Sequence, residues 1–403
     1  MVHVFSKTSR RIPLIVKLGA GFLAFAFAIL AANAGRQDPS NPSATLQNID
    51  AIFAPLVTPN SPGVAVLVVK DGRKLFERGY GLRDLHSAAK IDSRTNFRLA
   101  SCTKQFTAMA IMLLVHDGKL RYEQKLTEVF PDFPSYGKSI TIRNLLHHTG
   151  GLQDYETLME QPKNKRKWNE DHQIQDAEVL TLLEQTDHGM FPAGTQWYYS
   201  NSGYVVLGLV VAKASGQPFP EFLRERIFAP LKMDNTVAYV KDKNEMTNRA
   251  YGHAKQGDTW KQTDQSSTSA TLGDGGIYSS LEDLAKWDEA LRSNKLLSEE
   301  EMQPALTPVT LTVTSGKGDN QSRWPANSYR PKGTPVSYGF GWFLDPYRSH
   351  PRMWHYGETM GFQSYIVRFA DNDLSIIILC NRTDVSPESL ALQVGDLFRV
   401  SPK

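Results

Sequence analysis

Residues 101–116 read Ser-Cys-Thr-Lys-Gln-Phe-Thr-Ala-Met-Ala-Ile-Met-Leu-Leu-Val-His. Phe106, Met109, Ala110, Leu113 and Leu114 recur at three- and four-residue intervals, which predicts a buried helix over 101–116. Ser101 and Lys104 stand three residues apart at its start and share one face, so the lysine amine can reach the serine hydroxyl. A serine hydroxyl is a poor nucleophile until a neighbouring base takes its proton. A lysine can be that base if burial and nearby cations lower its pKa. At the start of a helix the serine's backbone N–H is also free to hold an oxyanion. Ser101 is therefore the candidate nucleophile and Lys104 its candidate base. The four-residue pattern alone does not single them out, because Ser87-Ala88-Ala89-Lys90 and Ser135-Tyr136-Gly137-Lys138 repeat it. The first copy lies in a polar stretch with no apolar helix behind it. The second follows Pro134 and contains a glycine, so it reads as a turn.

Working outward, residues 64–70 and 74–80 are β-rich runs split by Asp71-Gly72, a strong hairpin signal. A second β-rich cluster comes late, at 337–344, 353–356, 362–369 and 374–380. Helical patterns lie between, at 142–147 before Thr149-Gly150-Gly151, at 202–214 before Ser215-Gly216, and at 281–291 with Ser280 as its cap. Two more helices sit at the ends. One spans 44–57, where Pro55 ends it early. The other spans 387–398, with Ser386 as its cap and Pro387 at the first helical position. Strands early and late with helices between predict an α+β fold. One antiparallel sheet is built from both chain ends and flanked by helices, with an inserted, mainly helical region. The chain has 403 residues, 41% of them hydrophobic, enough for a sizeable core and unlike a disordered chain. Residues 44–403 read as one domain. Two irregular polar stretches interrupt it: 161–175, with Lys163, Lys165, Arg166 and Lys167, and 307–335, rich in Gly, Ser, Asn and Pro. Loops this long serve as lids or substrate walls, or as plain solvated surface, and both readings stay open.

The first 34 residues stand outside this pattern. Lys7, Arg10, Arg11 and Lys17 form a basic start. An uncharged run from Leu18 to Ala32 follows, and Ala32-Asn33-Ala34 precedes Gly35 as a small-residue cleavage site. This is the layout of a secretory signal peptide, followed by a polar linker at 35–43. The run falls short of the ~20 residues that span a bilayer; an uncleaved N-terminal anchor is the alternative. Removing this leader, with four basic and no acidic residues, takes the formal charge from +3 to −1. The expected location is periplasmic or extracellular. No nucleic-acid partner is expected, and a membrane only if the leader stays. Cys102 and Cys380 are too few for a disulfide framework and read as buried free thiols. His147 and His148 read as a structural helix end, since no second cluster has metal-ligand spacing. No metal and no cofactor is expected.

Two further motifs follow Ser101 in order. Tyr199-Ser200-Asn201 is the chain's single Tyr-x-Asn. Tyr199 could move protons and Asn201 could bind substrate; alternatively Tyr199 packs and Asn201 caps a helix. His355-Tyr356-Gly357 lies in a β-rich run. His355 could meet a substrate carboxylate and polarise the tyrosine, while Gly357 would let substrate backbone approach closely. His116-Asp117-Gly118 and His148-Thr149-Gly150 share that pattern but sit at helix ends upstream of Tyr199.

The ordered set Ser101-x-x-Lys104, Tyr199-x-Asn201 and His355-x-Gly357 resembles the serine β-lactamase and penicillin-binding-protein superfamily. It is most similar to class C β-lactamases, DD-peptidase-like proteins and related esterases. The flanks 145–152, 191–194, 275–280, Gly361-Phe362 and Cys380-Asn381-Arg382 add to the match, which covers roughly residues 45–398. The resemblance implies a β-lactamase/DD-peptidase-like fold and an acyl-serine mechanism. Ser101 would attack a carbonyl, Lys104 and Tyr199 would share the base and acid roles, and the backbone N–H groups of Ser101 and Glu358 would form the oxyanion hole. Asn201, His355 and Gly357 would bind substrate. The class C third motif is Lys-Thr-Gly, and His355 replaces its lysine. An unperturbed histidine, with a pKa of ~6.5, is no fixed cation at neutral pH. The implied substrates are therefore small esters, amides or D-amino-acid peptides, cell-wall peptides among them. A β-lactamase proper and a non-hydrolysing penicillin-recognising sensor are the alternatives.

Overall fold

The Asp71-Gly72 hairpin forms as the sequence predicts. Val64–Lys70 (β1) passes through Asp71 and Gly72, at φ 51° and 69°, into Arg73–Tyr80 (β2). Positive φ at both turn residues matches the turn's twist to that of the strands. The computed structural model describes residues 42–312 and 335–398. The leader, the linker up to residue 41 and the part of the second polar stretch at 313–334 lie outside the described residues. The chain divides into Met1–Thr45 and Leu46–Lys403, and the second unit carries everything that follows.

Six more strands complete the large sheet: Val309–Thr312 (β3), Pro335–Tyr338 (β4), Phe343–Tyr347 (β5), His350–Thr359 (β6), Phe362–Phe369 (β7) and Leu374–Cys380 (β8). Among the described residues the order is β3-β4-β5-β6-β7-β8-β1-β2, antiparallel throughout. Strands from the two ends of the domain lie side by side, one strand in from the β2 edge, with Val64 opposite Cys380 and Lys70 opposite Leu374. Both of these strands are apolar along nearly their whole length because helices cover both faces, the condition under which strands lose their polar alternation. Val64, Val66 and Val68 face the terminal helices Pro42–Phe53 (α1) and Pro387–Leu397 (α5), where Ile49, Phe53, Ala391 and Val394 are buried. Ala65, Leu67 and Val69 face the inserted helices Lys104–His116 (α2), Asn201–Ser215 (α3) and Leu281–Arg292 (α4). This is the α+β arrangement expected, and none of the described helices is long and apolar enough to cross a membrane.

The helices given serine caps start where those caps predict: the side chains of Ser280 and Ser386 accept from the amides of Asp283 and Ser389. The helix over 201–215 is capped by Ser200, whose side chain accepts from the Gly203 amide. The structure differs from the sequence reading at three places. Residues 337–344 are two strands, broken over Gly339–Trp342, because Gly341 turns at φ 76° against the first turn of α2. A Cβ on Gly341 would lie 2.7 Å from Gln105 Cα. Residues 100–103 form a 3₁₀ turn, and the α-helix begins at Lys104. The second Ser-x-x-Lys copy lies in a short 3₁₀ helix, Ser135–Ser139, with Ser135 and Lys138 exposed. Ser87 and Lys90 are exposed too.

Candidate active site

Side chains at i and i+3 eclipse in a 3₁₀ turn, and this places Lys104 over Ser101. Lys104 Nζ lies 3.0 Å from Ser101 Oγ. Its other two contacts are Asn201 Oδ1 at 2.9 Å and the Asp274 carbonyl oxygen at 2.9 Å. Both of those are pure acceptors. A neutral amine has two N–H bonds and one lone pair. The two acceptors take the N–H bonds, and the lone pair is left for the Ser101 hydroxyl. Lys104 is fully buried. Burial pushes its ammonium down to about 8, against the opposing pull of Asp274, Cys102 and Glu156. Nζ also stands 4.9 Å from the centre of the Tyr199 ring and 5.5 Å from that of Tyr204.

Tyr199 comes from the segment leading into α3. Its phenol is held well above its ordinary pKa by burial, with a hydrogen bond to Ser101 opposing. It therefore stays protonated beside the serine and can donate. Asn201 does not cap the helix; Ser200 does. Asn201 instead occupies the first helical position and bridges two ionisable groups, its Oδ1 accepting from Lys104 and its Nδ2 donating to Glu156 Oε1 at 3.3 Å.

His355 and Gly357 lie on β6. His355 is buried, and both ring nitrogens are engaged. Nδ1 donates to the Tyr356 carbonyl at 2.7 Å, and Nε2 accepts from the Tyr338 hydroxyl at 3.0 Å. Burial, with the nearby Lys104, pushes its imidazolium down to about 3. The ring is a neutral, locked part of the wall, 6.1 Å from the Tyr199 ring. It does not offer the free cation or donor that the sequence reading gave it for a substrate carboxylate. Gly357 departs from expectation as well. A Cβ there would overlap the Leu99 carbonyl oxygen and Ser364 Oγ, so the backbone that approaches it closely is the chain's own. Ser364 Oγ donates to Leu99 O at 2.8 Å, and Cys102 Sγ donates to the His355 carbonyl at 3.4 Å. The turn that holds Ser101 is thereby fastened to both β6 and β7. Burial pushes the Cys102 thiol up to about 12, which leaves it a packing group.

The Glu358 amide follows from strand parity. The two-residue turn at Met360-Gly361 makes Thr359 and Phe362 the closing pair, and hydrogen-bonded pairs then alternate. His355, Gly357 and Thr359 face β7, while Glu358 points its N–H away from it. β5 pairs with β6 only as far as Trp354, so among the described residues no strand lies opposite the Glu358 amide. Ser101 lies in the first turn of its 3₁₀ segment, where amides have no acceptor within the helix. Two N–H groups are thus available to a carbonyl oxygen.

Sequence reasoning missed four site residues: Asp274, Glu156, His148 and Tyr338. Asp274 meets Lys104 from a distant turn and Glu156 meets Asn201 from the short helix Tyr155–Met159, and no local pattern marks them. His148 sits in a stretch read as a structural helix end and a flank of the resemblance, with no role at the site, and Tyr338 in one read only as a strand. Among the described residues no group of three or more His, Cys, Asp or Glu is arranged to hold a metal ion.

A family model described as Beta-lactamase matches residues 49–396. Penicillin-binding protein 4* of Bacillus subtilis (strain 168) is 28% identical over 350 residues, covering 84% of this chain and 72% of that protein. Protein flp of Staphylococcus aureus (strain MRSA252) is 24% identical over 340 residues, which span 83% of this chain and 62% of that protein. Among solved structures, the D-amino acid amidase from Ochrobactrum anthropi SV3 complexed with L-phenylalanine aligns with a TM-score of 0.72 at 23% identity, covering 88% of this chain and 97% of that one. The octameric penicillin-binding protein homologue from Pyrococcus abyssi aligns with a TM-score of 0.69 at 21% identity, covering 90% and 77%. At these identities the two structural likenesses speak to fold.

Proposed function

The chain belongs to the beta-lactamase family, and on that premise we propose that it is a serine hydrolase cleaving ester or amide bonds through an acyl-Ser101 intermediate. The observation that carries this reading is the Lys104 amine, 3.0 Å from Ser101 Oγ with its other two contacts taken by pure acceptors. Lys104 takes the Ser101 proton as Oγ attacks the carbonyl carbon. The Ser101 and Glu358 amides receive the oxyanion, and Tyr199, kept as a phenol, donates to the leaving group. Water then releases the acyl group by the reverse sequence.

The neutral, buried His355 supports neutral esters and amides over β-lactams, whose carboxylate calls for a fixed cation. Glu156, joined to Asn201, supports a substrate that carries an amine near the scissile bond, as a D-amino-acid amide or peptide does. Export is part of the proposal: cleavage after Ala34 would release a periplasmic or extracellular enzyme, and N-terminal sequencing of the native protein tests it.

A fluorophosphonate probe is expected to add one label, found by mass spectrometry on the peptide holding Ser101, and Ser101→Ala to lose both label and hydrolysis. Turnover of a D-amino-acid amide or nitrophenyl ester ahead of a chromogenic cephalosporin is the expected order. Equal hydrolysis by the alanine variant would overturn the mechanism. Stoichiometric penicillin labelling without turnover would favour a sensor.

A further inference from the structure

We propose that His148 is the positioning residue of the Tyr199-Ser200-Asn201 segment and, through it, of the Lys104 base. The inference rests on the acyl-serine reading above.

His148 grips that segment at two points. Its carbonyl accepts from the Tyr198 amide at 3.0 Å, and its Nδ1 accepts from the Ser200 amide at 3.0 Å. The imidazole thus accepts from this segment as the carbonyl of a neighbouring strand would. Its ring also lies 4.4 Å from the Tyr199 ring at 35°. The rings of Tyr338, Tyr204 and Trp197 surround it at 4.5, 5.0 and 5.8 Å. Ser200 is the point from which the two functional side chains diverge. Tyr199 precedes it and reaches Ser101, while Asn201 follows it and reaches Lys104. Fixing the Ser200 amide therefore fixes both.

Two further features set His148 apart from an ordinary core histidine. It is 1% exposed and sits at φ 61°, a left-handed backbone that a non-glycine residue keeps only when its surroundings over-determine it. Because Nδ1 accepts from a backbone amide that cannot turn round, the ring proton belongs on Nε2. That nitrogen is buried with no hydrogen-bond partner among the described residues. The titratable groups that face the ring are Lys104, His355 and His147, with the phenols of Tyr199, Tyr204 and Tyr338 around it. A second proton would break the Ser200 bond and set a cation near the Lys104 ammonium, so the ring stays neutral. Burial, then Lys104, pushes its pKa well down.

Two substitutions separate positioning from packing. His148→Phe keeps a ring and removes the acceptor. His148→Asn keeps an acceptor oxygen where Nδ1 stands, tolerates positive φ and removes the ring. The readouts are the rate of fluorophosphonate labelling at Ser101, the kcat and KM of ester hydrolysis, its pH profile, and Tm. For His148→Phe we expect labelling and kcat to fall ~10–100-fold, the scale of a small misplacement of reacting groups, with KM little changed. The acid limb should move below its wild-type position, because an ammonium that loses the Asn201 acceptor gives up its proton more readily. His148→Asn should return kcat and the limb most of the way, whatever its Tm. A phenylalanine variant with wild-type labelling and limb overturns the proposal. So does an asparagine variant that folds but labels no faster than the phenylalanine one. If the phenylalanine variant does not fold, the asparagine variant decides alone: labelling within ~5-fold of wild type with an unmoved limb supports the role, and lost labelling at an intact Tm overturns it. Wild-type protein that takes no label at Ser101 overturns the acyl-serine reading first, which keeps the two failures distinct.

Discussion

Lys104 is buried to the last atom, and its chemistry depends on what replaces water around it. Three acceptors within 3.0 Å hold the ammonium, and burial opposes it, leaving the group near pH 8. In the proposed mechanism the base is neutral Lys104, so activity should rise with pH as the ammonium loses its proton. The acid limb of kcat/KM is expected near 8. Asn201→Asp tests the assignment, because it places a carboxylate 2.9 Å from Nζ in place of an amide oxygen. An opposite charge at that distance stabilises the ammonium by ~1–3 pKa units. The limb should move to higher pH by that amount, and the neutral fraction at pH 7 should fall ~10–1000-fold. A limb that stays in place in a folded Asn201→Asp variant would assign the titration to another group. Ala100, directly before the nucleophile, sits at φ 48°. Holding a non-glycine residue there costs on the order of 1–2 kcal/mol and sharpens the turn that presents Ser101.

At the scale of elements, the Ser101 turn, β6 and β7 form one unit. Cys102 joins the turn to β6 and Ser364 joins it to β7 by hydrogen bonds, and Gly357 lets the Leu99 carbonyl lie against β6. Gly357→Ala forces a methyl group onto backbone that cannot rotate aside. The expected loss is ~3 kcal/mol of stability, at the upper end for overpacking, with a lowered urea midpoint and slower labelling of Ser101. Unchanged stability would mean the turn is not clamped to the strand. The same unit marks where sequence reading ends. Strands Phe362–Phe369 and Leu374–Cys380 fall on their predicted bounds because each is a β-rich run between turn residues, a local signal. The break between Tyr338 and Phe343 was invisible, because it answers to the first turn of α2, more than two hundred residues earlier. Ser101, Lys104, Tyr199 and Asn201 were legible because motif order carried them. His355 was legible as a position but not as a chemical state: its neutrality comes from burial and the nearby Lys104, against the opposing pull of the Tyr356 carbonyl. Asp274, Glu156 and His148 act by converging on residues far away in the chain, and one sequence holds no record of that convergence.

At the scale of the whole molecule, strands from opposite ends of the chain lie side by side, with the inserted helices packed over them. Such a design needs a fastening where its distant parts meet, and Asn381 provides it. The residue is fully buried. Its Oδ1 accepts from the Gly63 amide at 2.7 Å, just before β1. Its Nδ2 lies 3.0 Å from the Leu82 carbonyl, just after β2, and 3.0 Å from the Tyr251 carbonyl in the middle of the chain. One side chain thus satisfies three backbone groups from three regions, and water cannot reach in to replace it. Asn381→Leu is close in volume but leaves an amide and two carbonyls buried without that partner. Each orphaned group costs ~1–3 kcal/mol, so the sum is ~3–5 kcal/mol after some relaxation, a large share of a typical domain's stability. The expected outcome is a strongly lowered urea midpoint, with kcat per active site, titrated by fluorophosphonate at low temperature, close to wild type. A variant that loses kcat at full stability would place Asn381 in the catalytic machinery. One that loses neither would mean that the N-terminal strands, the Tyr251 segment and β8 are held together chiefly by the buried apolar faces of the sheet.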